Sequence, residues 1–121
     1  MNNQQKQLNP PRPIDDFVSA INRHSTTDFL QTLRQNVFIT DEGQTYRGIE
    51  EARKWCDEKC VAATVTLKMV NVSETDDEAI VAFEIDGSFD KSGLPDPFVM
   101  DFHFTIADSK IVGLSIRLPG E

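Results

Sequence analysis

Residues 36–55, NVFITDEGQTYRGIEEARKW, set a strand that ends in an acid before a short turn and a helix opened by glycine. Val37, Phe38 and Ile39 are β-branched or aromatic and predict a strand at 37–40, which Asp41 closes. Asp41-Glu42-Gly43 is turn chemistry, a short extended piece follows around Thr45 and Tyr46, and Gly48 falls where a helix N-cap belongs. Glu50 and Glu51 then occupy the first helical turn, where carboxylates favour the positive end of the dipole. The order of strand, acid, turn and helix predicts an acid at the mouth of a pocket. An exposed turn aspartate fits the same residues, so the segment alone leaves Asp41 with two readings.

Towards the N-terminus, Ile14, Phe17, Val18 and Ile21 follow one-face helical spacing from Pro13 to about His24. Ser25 with Asp28 resembles a capping box, and Phe29, Leu30 and Leu33 supply the apolar face of a second helix. Residues 1–12, MNNQQKQLNPPR, lack apolar periodicity and read as a flexible arm ahead of one domain at 13–121. Towards the C-terminus, helix three spans 49–60 and strands follow. In 63–72, Val65, Leu67 and Met69 alternate before Val70 and Val72 take the other phase, which predicts a bulge. Thr75-Asp76-Asp77 is a turn, and Ala79, Val81, Phe83 and Ile85 form one face of the next strand. After a loop at 91–97, Phe98, Met100, Phe102, Phe104 and Ile106 alternate, and Val112, Leu114, Ile116 and Leu118 share a side of the last strand. A four-stranded antiparallel sheet with one apolar face, covered by three helices, is an α+β architecture.

Composition narrows the function classes. A chain of 121 residues holds one domain, and its net charge of −8 disfavours nucleic-acid and anionic membrane surfaces. No apolar run approaches the roughly 20 residues needed to span a bilayer, and no signal peptide precedes the fold, so a cytoplasmic address is expected. Cys56 and Cys60 share the stripe of Ile49 and Ala52 on helix three and read as small buried hydrophobes. No Cys or His cluster, phosphate-binding glycine loop or nucleophile elbow is present, and neither a metal nor a cofactor is expected.

The run 46–55, YRGIEEARKW, together with 102–116, FHFTIADSKIVGLSI, resembles the small SnoaL-like members of the nuclear transport factor 2-like superfamily. The likeness runs from about Pro13 to Leu118. It implies a cone-shaped fold in which a strongly curved, mainly antiparallel sheet wraps around three helices and encloses a small-molecule cavity. It also implies homodimers formed through the outer sheet face. Within it, Asp41 lies where the ketosteroid-isomerase branch keeps a catalytic aspartate. That branch uses two further donors, a tyrosine and a protonated acid, and this sequence aligns Phe17 and Met100 with them. A shift of one residue would bring Asp101 to the second position. The register with Met100 inside is preferred, because residues two apart share a face with Phe102 and Phe104.

Two functions follow from these readings. The first is a domain that binds a small apolar molecule against Phe17, Tyr46, Trp55, Met100 and Phe102, with Asp41 as general base for cyclase- or isomerase-type chemistry. The second is a non-catalytic dimerisation or partner-binding module of the same fold. Its homodimer face would bear Asp101, His103, Thr105, Ser115 and Arg117 around exposed Ile80, Val99 and Ile111.

Overall fold

A computed structural model describes residues 8–120, and the fold is built from one mixed sheet and a helical layer. Helices α1 (Arg12–Asn22), α2 (Thr26–Leu30) and α3 (Gly48–Trp55) pack against strands β1 (Leu33–Asp41), β2 (Gln44–Arg47), β3 (Thr66–Glu74), β4 (Ala79–Asp86), β5 (Val99–Ala107) and β6 (Lys110–Arg117). The strand order is β2-β1-β6-β5-β4-β3, and the sheet curves without closing. Every neighbouring pair is antiparallel except β1 with β6. Of the expected arm at 1–12, residues 1–7 lie outside the described residues, Pro10 is buried and α1 begins at Arg12.

The helices start as the sequence chemistry directs. Pro sits at the start of α1, where a missing N–H costs nothing. The Ser25 hydroxyl caps α2 by accepting from the Asp28 N–H at 3.2 Å, while the Asp28 carboxylate turns aside to Arg23 at 2.6 Å. At α3 the cap position belongs to Arg47, one residue before the expected Gly48. Gly48 adopts φ +82, and the Glu51 carboxylate accepts from the Arg47 N–H at 2.7 Å. Beyond Trp55 the helix widens into a π-helical segment, Cys56–Val61, which buries both cysteines.

Four readings of the sheet need correction. Six strands form it, because the extended pieces around Val37 and Tyr46 join it as β1 and β2. Leu33 opens β1 and does not belong to the second helix, which stops at Leu30. Ile111 is fully buried, since a register shift between Thr105 and Ile106 turns it inward. His103 does lie on the outer face opposite Ser115, yet it is buried there, with Nδ1 3.3 Å from Glu78. The bulge expected in the first long strand falls between Met69 and Asn71.

Between sheet and helices lies an aromatic core. Phe17 of α1 makes edge-on contacts with Phe29, Phe102 and Phe104, its ring centroid 5.2–6.2 Å from theirs, and Phe83 packs on Phe102 at 4.8 Å. Both two-residue turns of the sheet, Glu42-Gly43 and Asp108-Ser109, carry positive φ at each central residue, as the twist of the flanking strands demands. The first of them fixes the end of β1 and therefore the position of Asp41.

Candidate ligand cavity and its acid

The core does not fill the open end of the curved sheet. A cavity of about 580 Å³ remains there, within the range of small-molecule sites. Its floor is Phe17 and Ile21 from α1 with Met100 and Phe102 from β5. The last part of the helix adds Trp55 and Cys60, and β3, β4 and β6 add Leu67, Ile85 and Ile116. The loop after β4 closes the remaining side with Phe89, Leu94 and Phe98, of which Phe89 and Phe98 meet edge-on at 6.1 Å.

Asp41 stands in this wall because β1 ends there and the Glu42-Gly43 turn carries the chain away. Its Oδ2 accepts a hydrogen bond from the Trp55 indole N–H at 3.0 Å. Burial raises its proton affinity above the ordinary carboxylate range; the Trp55 bond opposes this, nearby Glu42 adds to it, and Lys59 opposes it. The carboxyl is thus held in place by one donor and partly desolvated by apolar neighbours, an arrangement suited to a general base. The Cys60 thiol, also in the wall, is held protonated by its hydrogen bond to Cys56 and by burial. A poorly ionised thiol is a weak nucleophile.

Five of the six residues expected at the site, Phe17, Asp41, Trp55, Met100 and Phe102, come together around this cavity. Tyr46 does not line it. It pairs with Ile39, two residues up β1 from Asp41, and so sits about 7 Å from the acid along the sheet. There it is buried in the core, and its hydroxyl donates to Gln44 at 2.9 Å. Asp101 is on the outer face opposite Arg117, and Met100 is the residue that turns to the cavity. His24 adopts φ +56 and its Nε2 lies 2.9 Å from the Val65 carbonyl, which makes it a clamp between α1 and the segment before β3. Sequence reasoning missed the wall supplied by residues 87–98. The available signal was Phe89, Leu94 and Phe98 in a loop otherwise rich in Gly, Pro and Asp. Among the described residues, no cluster of three or more His, Cys, Asp or Glu side chains could hold a metal ion, and no helix is long and apolar enough to cross a membrane.

A curved mixed sheet around three helices, open at one end on an apolar cavity, is the cystatin-like cone of the nuclear transport factor 2-like folds. The chain belongs to the SnoaL-like domain family, whose model matches residues 14–114. Among solved structures it is similar to a candidate polyketide cyclase from Sinorhizobium meliloti, at 23% identity and TM-score 0.81, covering 89% of this chain and 95% of that one. It is also similar to a protein of ketosteroid isomerase-like fold from Catenulispora acidiphila in complex with trimethylamine, at 16% identity and TM-score 0.74, with 89% and 85% covered. A third is SalBIII, an epoxide hydrolase/cyclase-like enzyme in pyran ring formation in the polyether salinomycin, at 16% identity and TM-score 0.71, with 88% and 87% covered. These identities speak to the fold alone. No curated protein matches the chain.

Proposed function

We propose that the chain binds a small, largely apolar molecule in the open end of its cone and that Asp41 acts on it as a general base. The observation that carries this reading is the Asp41 carboxyl, oriented by Trp55 and partly desolvated in a mainly apolar wall. The cyclase- and isomerase-like neighbours support acid–base chemistry of this kind. Steroid-type isomerisation is disfavoured, because an enolate oxygen needs preorganised donors and the positions aligned with them hold Phe17 and Met100. The chemistry open to Asp41 is removal of a proton from a carbon that is already acidic because its carbanion is self-stabilised, with the proton passing to the Asp41 carboxylate, or activation of a hydroxyl for ring closure. Native mass spectrometry of the protein as purified, followed by a crystal soak with whatever is retained, tests binding. Deuterium exchange at the benzylic carbon of 2-tetralone, a neutral ketone whose enolate is self-stabilised, tests the base: Asp41→Asn should abolish the protein-dependent exchange. Exchange that survives in the variant refutes the role.

The second reading, a dimerisation module, draws support from the outer sheet face. Phe38 is 42% exposed there, lying over Gly113 of β6, and half-buried Ile80 and Val99 lie further along the same face on β4 and β5. A stable two-fold contact would bury about 1,200–2,000 Å² in total. Sedimentation at micromolar concentration tests it, and Phe38→Glu should dissociate the dimer. A monomeric mass for the unaltered protein overturns this reading and leaves the first untouched.

A further inference from the structure

The cavity on which the proposed function rests carries an unbalanced set of charges. Its charged wall groups are four carboxylates, Asp41, Glu42, Glu58 and Asp90, and one cation, Lys59, whose Nζ is already 3.9 Å from the Glu42 carboxylate. No arginine or histidine is part of the wall. Asp41 is the least exposed of the four acids. One of its oxygens receives the Trp55 indole, and the other takes no hydrogen bond among the described residues. The helix that begins at Gly48 also ends at this cavity, so its carbonyl end adds partial negative charge. An anionic ligand would lose its hydration here and meet four carboxylates against one lysine. A cation would meet a carboxylate oxygen to which no described side chain donates, and charge-assisted hydrogen bonds are the strong ones.

We propose that the cavity selects apolar molecules bearing a single amine, with the ammonium on the second oxygen of Asp41 and the hydrocarbon against Phe89, Met100 and Ile116, which line the cavity and are only half-buried. This rests on the apolar-ligand half of the proposed function and stands apart from its general-base half, because the ammonium takes the oxygen that would otherwise receive a proton. The roles of the charged groups differ by depth. Glu42, Glu58 and Asp90 draw cations towards the opening, whereas Asp41 makes the contact.

Calorimetric titration of the whole chain near neutral pH and at low salt tests the proposal with three probes of one skeleton: aminoadamantane, adamantanol and adamantane carboxylate. The amine should bind at least about tenfold more tightly than the alcohol, and the carboxylate more weakly than both. Asp41→Asn should shrink the advantage of the amine to less than about threefold. Equal binding of amine and alcohol, or a carboxylate that matches the amine, overturns the selection while leaving an apolar cavity in place. An amine preference that persists in Asp41→Asn overturns the assignment to Asp41. If none of the three binds, the apolar-ligand reading falls and takes this inference with it.

Discussion

Gly87→Ala tests how the wall of the cavity is held. Gly87 follows β4 at the root of the loop that brings Phe89, Leu94 and Phe98 to the ligand space. A Cβ at this position would stand 2.6 Å from the carbonyl oxygen of Ala63 and 3.2 Å from the Phe89 ring. The ring can swing away, but the carbonyl cannot: it is backbone, and it accepts the Ser88 N–H at 2.7 Å. Ordinary contact requires the two chain segments to part by roughly 0.8 Å, which stretches that hydrogen bond to the edge of usefulness. Its loss costs about 1 kcal/mol net, and the residual strain costs about 1–2 kcal/mol more. The sum of about 2–3 kcal/mol corresponds, in a chain of this size, to a melting temperature lower by roughly 6–15 °C. Thermal unfolding followed by circular dichroism reads the loss, and hydrogen exchange at the Ser88 amide locates it. A melting temperature within about 2 °C of the parent, with the Ser88 amide as protected as before, would refute the tie between this loop and the segment before β3.

Three further outcomes follow from the same geometry. Asp41→Asn should raise stability at neutral pH: burial gives the folded state the higher proton affinity, so the acid weakens the fold as pH climbs from the unfolded value of 3.8 through the folded one. The gain in melting temperature should fade towards about pH 3, where both states are protonated, and a gain that grows on acidification would contradict the sign. Trp55→Phe removes the donor that lowers the proton affinity of Asp41, so the Asp41 carboxyl resonance should titrate at higher pH than in the parent; an unmoved or lower midpoint would show that the indole bond is not formed in solution. Phe17→Ala should cost about 3–5 kcal/mol in urea unfolding, because the ring is fully buried against three other aromatic rings, and a loss below about 1 kcal/mol would mean that the core collapses around the gap.

What the sequence made legible was local. The alternation of Met100, Phe102 and Phe104 has a period of two residues, so their common face could be read without knowing any partner strand. The phase change at Val70 marked the bulge of β3 for the same reason. The shift between Thr105 and Ile106 left no such mark, because Ile111 and Val112 are both apolar and either could have pointed inward. Pairing of β1 with β6 depends on a surface made by distant residues, and no side chain in 33–41 announces it. The site divides along this line. Asp41 and the residues of α1 and β5 follow from turn chemistry and periodicity, whereas the wall at 87–98 exists only because the loop folds back over the sheet. Tyr46 shows the limit of position along the chain as a guide, since five residues from Asp41 across a tight turn place it on an edge strand facing the core.

The parallel contact between β1 and β6 bears on how the chain is made. Strands β1 and β2 touch the rest of the sheet only through β6, the last strand of the fold. Phe38 and Gly113, ~75 positions apart, must meet before the sheet is complete, and closing a loop of that length costs on the order of 4 kcal/mol in its length-dependent part. A ribosome-bound chain can assemble the β3–β4 and β4–β5 hairpins early, yet the strand carrying Asp41 has no sheet to join until β6 has emerged. The acid of the cavity is thus among the earlier residues synthesised, and its strand joins the main sheet only after the last strand has been made. Loss of even the final strand would strand it outside the cone.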